Sequence, residues 1–222
     1  YLDYNFVSTE KLNRIEKLEK NRVYVEAGVD LDTLLAFMEK ENLSGIEKMA
    51  GIPGSIGGLT YMNGGAFGTE IFDFIDEIEV LTERNIIQSI KKKDLYVRYR
   101  KTEIQEKKWI VLSVIFQFQT GFDKSTVEEI KKSREEKHPL DKPSLGSTFK
   151  NPEGDFAARL ISEAGLKGRK VGGAQIAEKH PNFVLNLGEA TFQDILDTLD
   201  LVKKTVKEKF GVQLEEEIII IR

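Results

Sequence analysis

Arg22-Val23-Tyr24-Val25-Glu26-Ala27-Gly28-Val29 runs directly into Asp30-Leu31-Asp32-Thr33-Leu34-Leu35-Ala36-Phe37-Met38-Glu39-Lys40. Across that join the apolar period changes from two to about 3.6. The first half puts Val23, Val25 and Ala27 on one face and closes at Gly28, the pattern of a half-buried strand. Asp30 stands where a helix cap is needed, and Leu31, Leu34, Leu35 and Met38 form the stripe of a helix reaching about Asn42. Strand and helix therefore belong to one domain.

The same alternation of periods continues along the chain. Ile75 to Thr82 reads as a strand, Glu83-Arg84-Asn85 as a turn, and Ile86 to Ile90 as the returning strand of a hairpin. Trp109 to Phe118 is an apolar strand. Lys124 to Lys137 is amphipathic, with Ser125 as the expected N-cap, and His138 to Pro152, with three prolines, reads as a loop. A helix is expected from Phe156 to Ala164, ended by Gly165, and a short strand from Asn182 to Leu187. Thr191 to Phe210 is the clearest helix, with Phe192, Ile195, Leu196, Leu199, Val202 and Val206 on one face and Gly211 as its stop. Glu217 to Ile221 reads as a closing strand. Strands and helices mix without strict βα alternation, so the fold class is α+β. Thr120-Gly121-Phe122-Asp123 is the expected break between domains 1–121 and 122–222.

Composition narrows the function. The 222 residues carry 32% charged side chains of both signs and a net charge of only −4. That balance argues against a nucleic-acid binder held by phosphate neutralisation. There are no cysteines and only two histidines, His138 and His180, so thiolate chemistry is excluded and a histidine-rich metal centre is disfavoured. No segment is apolar for long enough to span a bilayer, and no signal-peptide pattern opens the chain, which makes the cytoplasm the expected compartment.

Four stretches could carry chemistry. Gly51-Ile52-Pro53-Gly54-Ser55-Ile56-Gly57-Gly58, followed by Asn63-Gly64-Gly65-Ala66-Phe67-Gly68, lets backbone approach a ligand and present N–H groups to phosphate. It matches neither the Rossmann fingerprint nor a P-loop. Tyr99-Arg100 follows a basic run, where an arginine is normally a solvated charge. Gly146-Ser147-Thr148-Phe149-Lys150-Asn151-Pro152 gathers a hydroxyl, a cation and an amide suited to phosphate or carboxylate. The residues alone leave that loop open as linker or site. Glu215-Glu216-Glu217 places Glu215 and Glu217 on one face with Ile219 and Ile221 if it is a strand.

In order and spacing these pieces resemble the UDP-N-acetylenolpyruvoylglucosamine reductase family, a group of flavoenzymes of peptidoglycan synthesis. Leu160-Ile161-Ser162-Glu163-Ala164-Gly165, Gly172-Gly173-Ala174-Gln175-Ile176, Lys179-His180-Pro181-Asn182-Phe183-Val184-Leu185-Asn186 and Lys209-Phe210-Gly211-Val212 extend the resemblance over nearly the whole chain. It implies the C-terminal part of an FAD-binding α+β domain followed by a smaller α+β substrate-binding domain. It implies FAD as cofactor and NADPH as co-substrate, reducing UDP-N-acetylglucosamine enolpyruvate to UDP-N-acetylmuramate. By the same resemblance Ser147 is the proton donor, with Arg100 and Glu217 as partners that polarise the substrate carboxylate.

Gly51, Ile52, Pro53, Gly54, Ser55, Gly57, Gly58, Asn63, Gly64 and Ala66 are then expected at the FAD, and Lys137, Asn151, His180 and Asn182 at the UDP-sugar. A monomer with no metal is implied. The family's N-terminal Gly-x-Gly-Ser-Asn loop does not occur in these residues, and Tyr1 is expected just beyond it. Only residues 101–146 separate Arg100 from Ser147, too few for the tyrosine-bearing insertion of one subclass. The alternative is a non-catalytic UDP-sugar binding fragment with an incomplete flavin site.

Overall fold

The strand expected at Arg22 is the second of five in an antiparallel sheet, in a computed structural model that describes residues 6–221. The five strands are β1 (Ile15–Lys17), β2 (Arg22–Glu26), β3 (Ile75–Leu81), β4 (Ile87–Lys91) and β5 (Ile110–Gln117), in spatial order β1-β2-β5-β3-β4. Val23, Val25 and Ala27 are completely buried, as the alternation requires. β5 reads as continuously apolar because its register against β3 shifts between Val111 and Ser113. The shift inserts Leu112, which lets Val111 and Val114 both face the core although they differ in parity. Each of these side chains contributes about 1.5–3 kcal/mol by leaving water.

Helix α1 (Leu31–Lys40) buries its four expected residues against this sheet. Asp30 caps it, accepting from the Thr33 N–H at 2.8 Å and the Thr33 hydroxyl at 2.7 Å. The Thr33 hydroxyl bond, then the backbone one, hold the Asp30 carboxyl below the usual range.

A second helix, α2 (Ile56–Met62), lies inside the glycine-rich stretch, where composition reads only as loop. Two adjacent glycines weaken a helix by roughly 1 kcal/mol each. Here tertiary packing compensates. A Cβ on Gly57 would stand 2.8 Å from the Ala27 Cβ, so only glycine lets α2 settle on the end of β2. Ser55 caps the helix through the Gly58 N–H at 3.2 Å, and Asn63 ends it at φ 45°.

Helix α3 (Lys124–Lys137) is present as expected, but its cap is Asp123 rather than Ser125. Asp123 accepts from the Thr126 N–H at 3.0 Å and the Ser125 hydroxyl at 2.6 Å. Those bonds, the Ser125 hydroxyl first, lower its carboxyl to about 2. A carboxylate outcompetes a hydroxyl for this place because it accepts several bonds at once.

The chain divides into two compact units, one ending at Ser133 and the other beginning at Arg134. The segment marked by sequence as a break is pinned to the first unit. Gly121 and Phe122 donate backbone N–H groups to Asn42, and Asp123 donates its own to Glu47. Val127 and Ile130 of α3 also pack on the first core. We propose that the functional boundary follows these contacts and falls within α3.

The second unit has a four-stranded antiparallel sheet of β6 (Ser144–Ser147), β7 (Lys170–Val171), β8 (Ala174–Ile176) and β9 (Phe183–Asn186), in spatial order β6-β9-β8-β7. The expected loop from His138 to Pro152 thus contains an edge strand. Helices α4 (Ala157–Glu163) and α5 (Phe192–Phe210) enclose the core with Phe149, Leu160 and Ile161. Thr191 and Asp194 form a reciprocal capping box on α5, and Gly211 closes it at φ 71°. Phe192, expected in the buried stripe, is 56% exposed at the first residue of the helix.

Glu217 to Ile221 is not a strand. Only Glu216 forms a bridge, to Phe149. Ile218 and Ile220 pack on the core, while Ile219 stays 66% exposed. No helix among the described residues is long and apolar enough to cross a membrane.

Candidate active site

The glycine-rich stretch separates into glycines that pack and glycines that stay open. A Cβ on Gly64 would lie 2.6 Å from the Leu59 side chain, and one on Gly65 would lie 2.2 Å from the Thr69 carbonyl oxygen. With Gly57, these serve close packing. Gly54, at φ 143°, has nothing within 4 Å of its absent side chain, and Gly58 has only the Ser55 hydroxyl at 3.5 Å. Pro53, Gly54 and Gly58 are exposed, so bare backbone is offered there. Gly51 turns the chain at φ 75°, and Ile52 packs on the core beneath.

Asn63 is 1% exposed, and its side chain is committed inside the protein. Its amide donates to Glu70 at 2.7 Å and to the Arg98 carbonyl at 3.1 Å. Ala66 belongs to a two-residue ladder with Thr69. Glu70, which sequence reasoning did not single out, joins Asn63 to Arg100. Its other oxygen lies 3.9 Å from the Arg100 guanidinium.

Arg100 is not a solvated surface charge. Its side chain is only 12% exposed. Nη1 donates to the Asn63 carbonyl at 2.8 Å and Nη2 to the Gly65 carbonyl at 2.7 Å. The guanidinium also stacks over the Tyr99 ring at 4.8 Å. Its backbone stands at φ 52°, a conformation that costs a non-glycine residue about 1 kcal/mol. The fork thus fastens the segment around Arg100 to the glycine-rich loop.

In the second unit, Ser147 is exposed at the end of β6, facing Phe183 across the ladder. Gly146 at φ 68° turns the chain just before it. The two residues after Ser147 are held on both sides. The Thr148 N–H donates to the Asn182 carbonyl at 2.8 Å, and the Glu217 N–H donates to the Thr148 carbonyl at 2.8 Å. Lys150 donates its N–H to the Glu215 carbonyl at 2.9 Å. Ser147 and the Glu217 segment are therefore brought together by backbone, although they are far apart in sequence.

Glu215 and Glu216 are engaged in ion pairs. Glu215 lies 3.5 Å from Lys150, and Glu216 lies 2.7 Å from Lys203 on α5. Glu217 is half-buried beside the Ser147 loop.

The expected sugar-binding residues are placed less uniformly. Lys137 is an exposed cation at the last position of α3. The Asn151 side-chain oxygen accepts from the Ala157 N–H at 3.0 Å, at the start of α4. Asn182 is 4% exposed, and its carboxamide bonds Phe149 at both ends. Among the described residues no group of three or more metal-ligating side chains converges.

His180 packs edge-on to His138 at 5.1 Å, and both rings pack on Phe183 at 4.8 and 5.0 Å. Burial lowers both imidazoles, and the neighbouring His180, Arg134, Lys179 and Lys137 help bring His138 down to about 4. Both rings are therefore neutral at pH 7. The unfolded chain takes up protons near pH 6.5, and the folded one resists until about 4. Stability is thus intact above pH 6.5 and falls between about 6.5 and 4. The loss is on the order of 2 kcal/mol, below full conversion because the rings keep contact with water. Urea denaturation at pH 7 and pH 5 checks this, and His138→Gln is expected to flatten the difference. An equal pH dependence in that variant refutes it.

Residues 138–221 match the family described as UDP-N-acetylenolpyruvoylglucosamine reductase, C-terminal domain. Residues 3–90 match the FAD binding domain family. The chain is 69% identical over 222 residues to the UDP-N-acetylenolpyruvoylglucosamine reductase of Fusobacterium nucleatum, covering 100% of this chain and 79% of that protein. It is 41% identical over 221 residues to the enzyme of the same name from Thermotoga maritima, covering 98% of this chain and 77% of that one. Among solved structures, the reductase from Thermus caldophilus superposes with a TM-score of 0.78 at 31% identity, over 93% of this chain and 74% of that one.

Proposed function

We infer, for a chain that belongs to the UDP-N-acetylenolpyruvoylglucosamine reductase family, that it reduces UDP-N-acetylglucosamine enolpyruvate to UDP-N-acetylmuramate for peptidoglycan synthesis, using NADPH. It is an FAD-dependent oxidoreductase. The residues present fit the flavin, since Gly54 and Gly58 leave open, side-chain-free backbone where any Cβ would narrow the approach. Gly51, Ile52, Pro53, Gly54, Ser55 and Gly58, with the backbone from Asn63 to Ala66, would hold it. Gly57 supports this surface by packing rather than by contact. When bound, FAD supplies the hydride that it takes from NADPH and gives to the enol ether.

The chain's own residues handle charge and protons. Ser147 holds the proton that completes reduction at the carbon beside the substrate carboxylate. A serine is a weak acid, so it needs a fixed position and a neighbour that renews its proton. Glu217, whose N–H is bonded to the Thr148 carbonyl, is assigned that service. Arg100 meets the substrate carboxylate as negative charge grows on it, where a planar guanidinium stabilises an enolate better than a point charge does. Lys137, Asn151 and His180 are assigned to the sugar nucleotide. The reaction is assigned to the cytoplasm, where NADPH is supplied.

The observation that carries the site assignment is the tie between Thr148 and Glu217, which joins two sequence-distant motifs at one place. The expected result is NADPH consumption that depends on the enolpyruvyl sugar nucleotide, by protein with a flavin spectrum. Calorimetric binding of the sugar nucleotide without any flavin spectrum after FAD is added would leave only the binding-fragment alternative.

A further inference from the structure

Asn182 is buried, yet it is held in place by polar contacts rather than apolar ones. Its Oδ1 accepts from the Phe149 N–H at 3.0 Å, and its Nδ2 donates to the Phe149 carbonyl at 2.8 Å. Its own carbonyl accepts from the Thr148 N–H at 2.8 Å. One residue therefore satisfies three backbone groups immediately after Ser147, in the manner of a short extra strand. On the opposite side the same two residues carry the Glu216 bridge and the Glu217 bond. Phe149 itself is buried in the second core with Leu160, Ile161 and Leu199.

Satisfying buried backbone groups could be achieved by many arrangements. This one differs in what stands at its ends. The pinned pair Thr148–Phe149 has the exposed Ser147 hydroxyl on its N-terminal side and the Glu217 segment across its flank. A turn of the pair about its own axis would displace the Ser147 hydroxyl relative to the Glu217 segment. Because the Asn182 carboxamide puts its acceptor end on the peptide unit before the Phe149 Cα and its donor end on the one after it, it fixes the orientation of the two units as well as their position. No sugar or carboxylate is needed to account for its bonds.

We propose that Asn182 is a positioning residue, which sets the place of the Ser147 hydroxyl relative to Glu217 by clamping the Phe149 peptide groups, and that it does not touch the substrate. The proposal rests on Ser147 being the proton donor. Misplacing a reacting group by about 1 Å costs on the order of 10²-fold in rate. The cost falls on the step that uses Ser147, namely transfer to the enolpyruvyl group, and spares the reaction between NADPH and the flavin.

The test is Asn182→Asp in the FAD-loaded enzyme, with the two half-reactions timed separately. The new side chain keeps the shape and the acceptor for the Phe149 N–H. Ionised, it has no donor for the Phe149 carbonyl; protonated, its O–H restores that bond. Burial raises the pKa of such a carboxyl. The expected result is a loss of about 10²-fold in the substrate half-reaction at alkaline pH, recovering toward wild type as pH falls. KM for the sugar nucleotide and the NADPH half-reaction stay close to wild type. Adding Asn182→Asp to Ser147→Ala is expected to cost nothing further.

A rise in KM with kcat unchanged would show a substrate ligand and overturn the proposal. So would equal loss in both half-reactions, or additive loss in the double variant. If Ser147→Ala alone is silent, the proton-donor assignment fails, and it fails separately from the clamp. The clamp itself is read in the wild type by hydrogen exchange. The Thr148 and Phe149 amides are expected to be among the slowest in the second unit, and fast exchange there overturns the proposal even if a variant does not fold.

Discussion

Ser147→Ala lowers turnover of the enolpyruvyl sugar nucleotide by about 10²–10⁴-fold, the range a positioned acid supplies, while NADPH reduces the bound flavin at the wild-type rate. The separation follows from where the hydroxyl stands. It is exposed at the end of an edge strand, after the turn at Gly146. The substitution should therefore change stability by less than about 0.5 kcal/mol. The loss is chemical. Without a proton at that place, the charge that forms beside the carboxylate must wait for water. Rapid-mixing measurement of the two half-reactions decides the matter. Wild-type kcat in the variant removes Ser147 from the chemistry, and a fall in both half-reactions points to a damaged fold.

Elements with a strong period were legible in the sequence. The stripe Leu31, Leu34, Leu35 and Met38 is buried as read, and the turn at Glu83 joins two paired strands. Elements that depend on partners were not. Helix α2 has glycines where a helix wants side chains, and it forms because Gly57 lies against Ala27. In the second sheet only β9 was legible; β6, β7 and β8 are two to four residues long, and the serines and glycine of β6 carry no β signal. The isoleucines from Ile218 to Ile221 alternate in burial without a ladder to make them a strand. At the candidate site, the motifs were legible as an ordered set. The division of labour within them was not. Nothing in Asn63 or Asn182 as letters distinguishes a ligand contact from a bond to one's own backbone, and the structure gives both side chains to the protein.

Arg100→Lys is expected to lower kcat/KM by about 10²–10³-fold, close to the loss from Arg100→Ala. Lysine keeps the charge, so a purely coulombic role would predict a mild effect. The arginine, however, reaches the Asn63 and Gly65 carbonyls with separate nitrogens, at 2.8 and 2.7 Å. A lysine ammonium is a single point and cannot occupy both positions while also meeting a planar carboxylate. The backbone supplies an independent control. At φ 52° the position favours glycine, so Arg100→Gly removes about 1 kcal/mol of strain while removing the fork. That variant should lose activity as Arg100→Ala does and yet melt at a higher temperature than Arg100→Ala. If Arg100→Lys turns over like wild type, charge alone suffices at this position. If activity instead follows melting temperature across the three variants, Arg100 serves the fold of the glycine-rich loop and not the substrate.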